Sequence, residues 1–310
     1  MTLSPPLNTP IAFFIFNRPE LTEQVFQTIA TQRPAKLLIV ADGPRSTKPD
    51  EAAKCAETRA ILKKIDWPCE VLTCFSDTNL GCRNRLTTGL NWVFEQVEEA
   101  IILEDDCVPD PTFFRFCEEL LEKYRHDERV FQICGSSFQD GIARGDGSYY
   151  FSRLNYIWGW ATWRRCWKLH NVDMKLWPDV KKANLLSGTG DAVYADFWKS
   201  RFDEAYERKI DTWDYQWVFT SFINHGLSIV PNVNLIRNIG FGIDATHTHN
   251  VSDGKSNLPA GTMEFPLRHP SCFVSNWPAD SYEMSTRYPP PLTLKQKVKR
   301  ALKSWLVSRA

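Results

Sequence analysis

Three consecutive carboxylates, Glu104, Asp105 and Asp106, are the residues of this sequence with the clearest chemical potential. They follow the apolar run 100–103 and precede a proline-containing turn. A short run of Ile and Leu indicates a buried strand, whose polar end must emerge at the edge of a sheet. Adjacent acids repel one another unless a cation lies between them, and carboxylates together with substrate phosphates are ligands that Mg²⁺ and Mn²⁺ favour. The triplet therefore predicts a divalent-metal site, the alternative being a solvated acidic turn after a core strand.

Apolar runs and helical spacing alternate through the first half of the chain, and they predict the framework that carries this triplet. Such alternation indicates an α/β fold of Rossmann-like type, with a mostly parallel sheet, right-handed crossovers and helices on both faces. Ligands of these sheets bind outside the carboxyl ends of the strands. The predicted strands are residues 11–16, 37–40, 70–75, 100–103 and 130–134, with helices beginning at Pro19 and Asp110 and covering about 49–65 and 86–97.

Polar residues follow four of the predicted strands. Asn17 and Arg18 follow the first, Asp42 the second, residues 77–79 the third and the acidic triplet the fourth. Because these strand ends converge on one rim, the pattern predicts a site for an anionic, metal-dependent ligand. Neither a G-x-G-x-x-G nor a G-x-x-x-x-G-K-[ST] motif occurs, which removes the main support for dinucleotide and P-loop interpretations.

The composition is that of a soluble globular protein and places few other limits on function. The 310 residues are 43% hydrophobic and 24% charged, and the equal totals of basic and acidic residues argue against a chain-wide nucleic-acid surface. Nine cysteines without C-x-x-C spacing indicate a reducing compartment. No signal-peptide pattern and no apolar stretch near eighteen residues is visible, so we expect a cytoplasmic protein.

The alternation stops after about residue 140. Residues 149–167 are rich in Tyr and Trp, helices are predicted at 197–208 and 213–224, and a strand and turn at 226–238. No Ser/Gly-rich linker is present, so we expect one domain over 1–290, made of a ligand-binding half (1–140) and an α+β extension (141–290).

Taken together, these motifs resemble the GT-A-fold glycosyltransferases, a Rossmann-like class that uses nucleotide-diphosphate sugars. The resemblance covers residues 11 to about 250, and the acidic triplet is similar to the D-x-D variant of N-acetylglucosaminyltransferase I-like and bacterial inverting enzymes. The residues that carry it are Phe16-Asn17-Arg18-Pro19, Val40-Ala41-Asp42-Gly43, Asn79-Leu80-Gly81 with Arg83-Asn84, and Leu103-Glu104-Asp105-Asp106.

The resemblance implies roles for the acidic triplet on the donor side. Asp106 would bind a divalent metal, Mn²⁺ or Mg²⁺, which neutralises the departing diphosphate. Asp105 would face the ribose or the donor sugar, and Glu104 would orient the triplet or touch the nucleotide. UDP is the nucleotide that the analogy favours.

Four further donor-side residues take roles from the same resemblance. Asp42 would accept from a pyrimidine N3–H, and Arg18 would hold the diphosphate with its planar guanidinium. Asn79 and Arg83 would complete the nucleotide-sugar site. Judged from the residues alone, Asp42 could instead form a turn with Gly43, and Arg18 could be a solvated residue at a helix start.

An inverting transfer also needs a base that takes the proton of the acceptor hydroxyl. Residues 211–217 place two acids among aromatic side chains just before a predicted helix, a setting that resembles the one in which family members carry this acid. We predict Asp214 as the base and Asp211 as the reserve, although Asp211 followed by Thr212 could be an ordinary N-cap.

Two predictions concern the extension. Trp160, in the Trp-rich segment 158–163, would stack on a sugar beside a loop that closes over the donor, the alternative being a core position. His247, in the polar loop 240–250, would be a second metal ligand, the alternative being an exposed side chain.

Residues 291–310 form a separate basic, amphipathic element. Apolar residues share one helical face and lysines and arginines crowd the rest, which is typical of an interfacial helix on anionic lipid. A docking helix against the core or a second subunit fits equally well. The expected partners are a nucleotide-sugar donor and a saccharide or lipid-linked acceptor, with no nucleic acid and with peripheral contact to the inner face of the membrane.

Other classes compete with this interpretation. A sugar-phosphate nucleotidyltransferase and a SAM-dependent methyltransferase both expect a Gly-rich loop after the first strand, where this chain has residues 16–19 without glycine. A non-catalytic carbohydrate-binding protein could use the tryptophans but would not need the acidic triplet.

Overall fold

A computed structural model describes residues 6–189, 192–241 and 258–288. The strands of these ranges are β1 (Ile11–Ile15), β2 (Lys36–Ala41), β3 (Glu70–Phe75), β4 (Glu99–Glu104), β5 (Cys107–Pro109), β6 (Val130–Cys134), β7 (Tyr149–Ser152), β8 (Trp160–Trp163), β9 (Leu227–Pro231) and β10 (Ile236–Asn238). The helices are α1 (Pro19–Gln32), α2 (Glu51–Arg59), α3 (Gly81–Gln96), α4 (Thr112–Lys123), α5 (Arg164–Trp167), α6 (Trp177–Lys182), α7 (Ala192–Tyr206), α8 (Asp214–Ile223) and α9 (Trp277–Arg287), with 3₁₀ turns at Ala60–Lys64 and Leu185–Thr189.

The central sheet has the strand order β3-β2-β1-β4-β8-β6-β9-β7. Six of these strands run parallel, and only β8 and β7 run antiparallel to them. The mostly parallel α/β sheet predicted from the sequence is therefore confirmed. The position of β8 differs from the expectation: residues 160–163 are a fully buried strand between β4 and β6 rather than part of a loop over a ligand.

Apolar periodicity explains why these elements form. Every residue of β1 is buried, as are residues 37–41 of β2, because helices cover both faces of the sheet. α4 is strongly amphipathic, and its Phe113, Phe116 and Leu120 are fully buried against the sheet. Burial of one such side chain stabilises the fold by about 1.5–3 kcal/mol. This packing holds α4 against the sheet and thereby keeps the strands in place.

The strand register places the ends of three strands side by side. Ile15 at the end of β1 pairs with Ala41 at the end of β2, and Phe14 pairs with Glu104 at the end of β4. The residues that follow these strands therefore emerge at the same edge of the sheet.

The extension contributes its own strands to this sheet and builds a second core. β7, β8 and β9 come from residues beyond 140, so both halves of the chain share one sheet. The second core is formed largely by side chains of α6, α7 and α8, and it includes Trp177, Trp198 and Phe202. Asn276 caps the start of α9, and its side chain accepts a hydrogen bond from the backbone N–H of Ala279 at 3.0 Å.

Some predicted features lie outside the described residues. These are His247, with most of the polar loop 240–250, and the basic element 291–310. None of the helices in the described part of the chain is both long enough and apolar enough to cross a bilayer.

Candidate active site

A cavity of about 520 Å³ opens at the carboxyl ends of β1, β2 and β4. One wall comes from these strand ends and the start of α3, and the facing wall comes from residues 210–215 ahead of and within α8. The predicted site residues that line it are Arg18, Asp42, Asn79, Glu104, Asp105, Asp106, Asp211 and Asp214. Residues predicted from distant parts of the sequence thus meet around one space.

Arg18 holds the acidic turn, residues 104–106, from the end of β1. Its guanidinium forms an ion pair with Asp105 and a second one with Asp106, where Nη1 and Oδ2 are 3.1 Å apart. The backbone N–H of Phe16 adds a hydrogen bond to Oδ2 of Asp105 at 3.3 Å. Without bound ligands, the arginine expected at a diphosphate therefore neutralises part of the acidic turn.

Burial and mutual repulsion raise the pKa values of two acids in the acidic turn. Burial raises the pKa of Glu104, and the charges of Asp106 and Asp105 raise it further against the opposing effect of Arg18. Burial also raises the pKa of Asp105, which Arg18 partly offsets. The site concentrates negative charge in a poorly solvated space, an arrangement that favours a bound cation.

A short antiparallel ribbon supports the acidic turn from the opposite side. β10 pairs with β5, and the backbone N–H of Ile239 donates to the carbonyl of Asp106 at 2.8 Å. Gly240 lies so close to the Asp106 carboxylate that a Cβ at this position would collide with it. The chain thus passes directly beside Asp106 as it approaches the loop that contains His247.

The donor atoms around the cavity fit a divalent cation only in part. Carboxylate oxygens are ligands that Mg²⁺ and Mn²⁺ accept, but the described residues contain no group of three His, Cys, Asp or Glu that could hold a metal on its own. The metal beside Asp106 stays a prediction, as does its second ligand His247, which lies outside the described residues.

Asp42 and Asn79 organise the turn between β3 and α3. The Asp42 carboxylate accepts hydrogen bonds from the backbone N–H groups of Gly43 and Leu80, at 2.9 and 3.0 Å, and from Nδ2 of Asn79 at 2.9 Å. Burial raises its pKa, and the N–H groups of Leu80 and Gly43 oppose the rise. Both side chains face the cavity, but Asp42 also has the turn-forming role that the sequence left open.

Asp211 reaches across the cavity to the start of α3. Its two carboxylate oxygens accept from the backbone N–H groups of Cys82 and Arg83, each at 3.1 Å. These are the N–H groups that a helix cannot satisfy internally, so Asp211 caps a helix remote from it in sequence. Both of its oxygens are thereby engaged.

Asp214 is the first residue of α8 and faces the same cavity from the opposite wall. The hydroxyl of Thr212 donates to its Oδ1, and the side chain of Gln216 donates to the Thr212 carbonyl at 2.7 Å. The charge of Asp214 is among the groups that raise the pKa of Glu104, so the two acids lie close enough to interact.

Two predicted residues lie away from the cavity. Arg83 is buried, and its guanidinium binds the carbonyl of Val172 at 2.6 Å and the carboxylate of Asp173 at 3.2 Å. Trp160 is fully buried in β8 and stacks on Trp213 with 5.7 Å between ring centroids. Neither position allows contact with a ligand in the cavity, so we correct the expected role of both: each belongs to the packing that supports the site.

Other residues face the cavity without having been singled out from the sequence. Trp158, two residues before Trp160, is the tryptophan of its segment that lines the cavity, and Arg45, Arg85, Arg201 and Tyr215 line it as well. The sequence alone does not distinguish Trp158 from Trp160, because the bounds of β8 in the structure decide which of them is buried. No local motif marks the three arginines.

No family model and no curated protein matches this sequence. Among solved structures, the chain is similar to the crystal structure of TarS residues 1–349 from S. aureus, with a TM-score of 0.43 and 10% identity over 74% of this chain. It spans 59% of the length of that structure. At this score the likeness carries no argument about fold or function, which depend on the residues described above.

Proposed function

We propose that this protein is a glycosyltransferase that moves a sugar, with inversion, from a nucleotide-diphosphate sugar to a saccharide or lipid-linked acceptor. The observation that carries the proposal is the pairing of two acidic walls in one cavity: the acidic turn at the end of β4 and Asp214 at the start of α8. A donor with a diphosphate needs cations and their ligands on one side, and an attacking hydroxyl needs a base on the other.

The donor side has the groups to bind a metal-chelated diphosphate. Asp106 would hold a divalent metal together with the phosphates, and this metal would supply neutralising charge as the diphosphate leaves. Arg18 pairs with Asp105 and Asp106 and would donate its remaining N–H groups to a phosphate. Asp42 and Asn79, beside β2, would then face the nucleotide, for which UDP is the first choice.

The acceptor side would perform the transfer of the proton. As the acceptor oxygen forms its bond to the anomeric carbon, the bond from that carbon to the donor phosphate breaks, and Asp214 takes the hydroxyl proton. The hydroxyl of Thr212 orients Asp214 by donating to Oδ1. Trp158 offers a partly accessible aromatic side chain on the cavity wall, suited to the C–H groups of a sugar.

We place the reaction in the cytoplasm, at the inner face of the membrane. A cytoplasmic enzyme that acts on a lipid-linked acceptor would profit from peripheral membrane contact through residues 291–310, which lie outside the described part of the chain. His247 would add an imidazole to the metal if its loop turns back toward Asp106.

The test is a thermal-shift screen of nucleotide sugars with and without Mn²⁺, followed by turnover of those that bind. A ligand present at 100 times its Kd raises stability by about 2.7 kcal/mol, which such a screen detects. We expect a sugar nucleotide to stabilise the protein far more with Mn²⁺ and to be consumed with release of the nucleoside diphosphate. Binding without turnover would indicate a carbohydrate-binding protein. Pyrophosphate release from a nucleoside triphosphate and a sugar phosphate would indicate a nucleotidyltransferase.

A further inference from the structure

We infer that Asp211 is a positioning residue, which fixes the proposed base Asp214 against the donor-binding wall by capping α3. The inference rests on the proposed function. It gives Asp211 a structural role, whereas the proposed transfer itself requires only the base Asp214. It also separates the two acids of residues 211–214, a segment that we call the Asp214 turn.

The beginning of α3 is built to accept a cap from elsewhere in the chain. Gly81 has a φ of +78°, a conformation that side chains rarely adopt, and the residue before the helix, Leu80, provides no side-chain cap. The N–H groups of Cys82 and Arg83, in the first turn of the helix, both donate to Asp211. A Cβ on Gly81 would lie 3.0 Å from Oδ2 of Asp211, so the carboxylate occupies the space that the glycine leaves.

Electrostatics favours this contact. The N-terminus of a helix carries partial positive charge, and a carboxylate placed on its free N–H groups is stabilised by that charge. Because Asp211 already fills this anion-binding position, the donor phosphates must bind elsewhere, next to the acidic turn and Arg18.

Thr212 and Trp213 connect the capping residue Asp211 to Asp214. Trp213 is buried and stacked on Trp160 of β8, so the side chain between the two acids cannot shift. The Thr212 hydroxyl binds Asp214, and the Thr212 carbonyl accepts from Gln216 within α8. The Asp214 turn is therefore fixed to α3 at one end and to the core at the other.

This geometry predicts an effect on turnover rather than on donor binding. Loss of the cap frees one end of the Asp214 turn, and small displacements of a reacting group lower rates steeply, on the order of 10² for about 1 Å. The donor-side residues keep their own partners, so the affinity for UDP with Mn²⁺ should change less than about threefold.

The experiment compares Asp211→Asn and Gly81→Ala with Asn276→Ala. The first two disturb the same cap from either side, and the third removes the cap of α9, which does not line the cavity. Hydrogen exchange of the unliganded proteins, UDP affinity in the presence of Mn²⁺, and kcat and KM with the donor and acceptor found in the screen are measured for each, together with the pH dependence of kcat.

We expect both cap variants to exchange faster over residues 81–86 and 209–216 together, and to lose about tenfold to 10²-fold in kcat. UDP affinity should be retained in Asp211→Asn, whereas Gly81→Ala also adds a methyl group to the cavity wall and is therefore judged by exchange and kcat alone. The pH dependence that Asp214 gives to kcat should remain. Asn276→Ala should lower the melting temperature without lowering kcat.

Four results would overturn the inference. Unchanged exchange at both segments would show that the cap does not hold in solution, and lower melting temperatures with normal kcat would reduce Asp211 to a stabilising cap. Loss of the pH-dependent limb in Asp211→Asn would make Asp211 itself the base. If Asp214→Asn keeps full transfer, the proposed base is wrong and the positioning role fails with it, even where exchange confirms the cap.

Discussion

The two acidic walls of the cavity are held in place by different forces. The acidic turn is held mainly by charge: Arg18 pairs with two of its three carboxylates, and burial works against the charged form of Glu104 and Asp105. The Asp214 turn is held by hydrogen bonds to a helix end and by the packing of Trp213 on Trp160. Ion pairs thus contribute most to the first wall, and helix capping together with aromatic packing contributes most to the second.

This difference suits the two tasks that we propose. A site that binds and releases a charged donor needs groups whose partners can change, and the partly exposed Arg18 already divides its guanidinium between two carboxylates. A base must instead keep its position while the acceptor arrives, and buried aromatic packing with a helix cap supplies this rigidity. Four predictions test this comparison, and those with the largest expected effect on activity come first.

Asp106→Asn should reduce transfer below detection, because it removes the carboxylate that would share the metal with the diphosphate. Nucleotide binding should weaken only when Mn²⁺ is present, which titration calorimetry with and without EDTA can measure. Asp66→Asn, an exposed acid that does not line the cavity, is the matched control. Full activity of the Asp106 variant, or of the native protein in excess EDTA, would contradict a metal-dependent donor wall.

Asp214→Asn should lower kcat by about 10²–10⁴, the usual contribution of a general base, and leave donor binding intact. Steady-state kinetics with varied donor and acceptor separates the two quantities. A variant that loses donor affinity in proportion to its rate would place Asp214 on the donor wall and remove the distinction between the walls.

Glu104→Gln should stabilise the protein by about 1–2 kcal/mol at pH 8 and have no effect near pH 4. The folded pKa of Glu104 lies above its ordinary value, so the unfolded chain releases this proton first as the pH rises. Over that range the unfolded state binds fewer protons, and stability must fall with rising pH. Melting temperatures of both proteins between pH 4 and 8 test this, with the exposed Glu95→Gln as control. An equal gain at both pH values would mean that charge does not strain this wall.

Trp160→Phe and Trp158→Phe should divide stability from binding. The first shrinks a fully buried ring and should cost about 1–3 kcal/mol of stability, whereas the second alters a residue of the cavity wall and should change substrate KM severalfold. Denaturant unfolding and steady-state kinetics on the two variants measure both effects. A larger KM change in Trp160→Phe than in Trp158→Phe would show that packing and recognition are not separable here.

Much of the cavity wall at the strand ends, which we propose to bind the donor, could be predicted from the sequence because its residues follow local patterns. A polar residue after an apolar run must emerge at a strand end, and this rule placed Arg18, Asp42, Asn79 and the acidic turn around one rim. Their individual roles in binding a donor stay predictions. What the rule could not show is that Arg18 would pair directly with Asp105 and Asp106, since that contact joins residues 87 and 88 positions apart.

The acceptor wall was harder to predict because its contacts are long-range. An acid before a helix suggests a local N-cap, but Asp211 caps α3, 128 residues away, and only the fold brings the two together. The sequence also gives Trp158 and Trp160 the same appearance. The insertion of β8 between β4 and β6 decides which of them is buried, and that insertion has no sequence signal of its own.

The insertion of β8 between β4 and β6 also affects how the sheet can form during synthesis of the chain. β8 lies between β4 and β6 in the sheet, but it leaves the ribosome after both of them. Until residue 163 has emerged, β4 and β6 each present an unpaired, apolar edge, the kind of edge that recruits foreign strands. We therefore expect a nascent or truncated chain that ends near residue 140 to be prone to aggregation through this unpaired edge, and residues 1–140 not to fold as a free-standing domain.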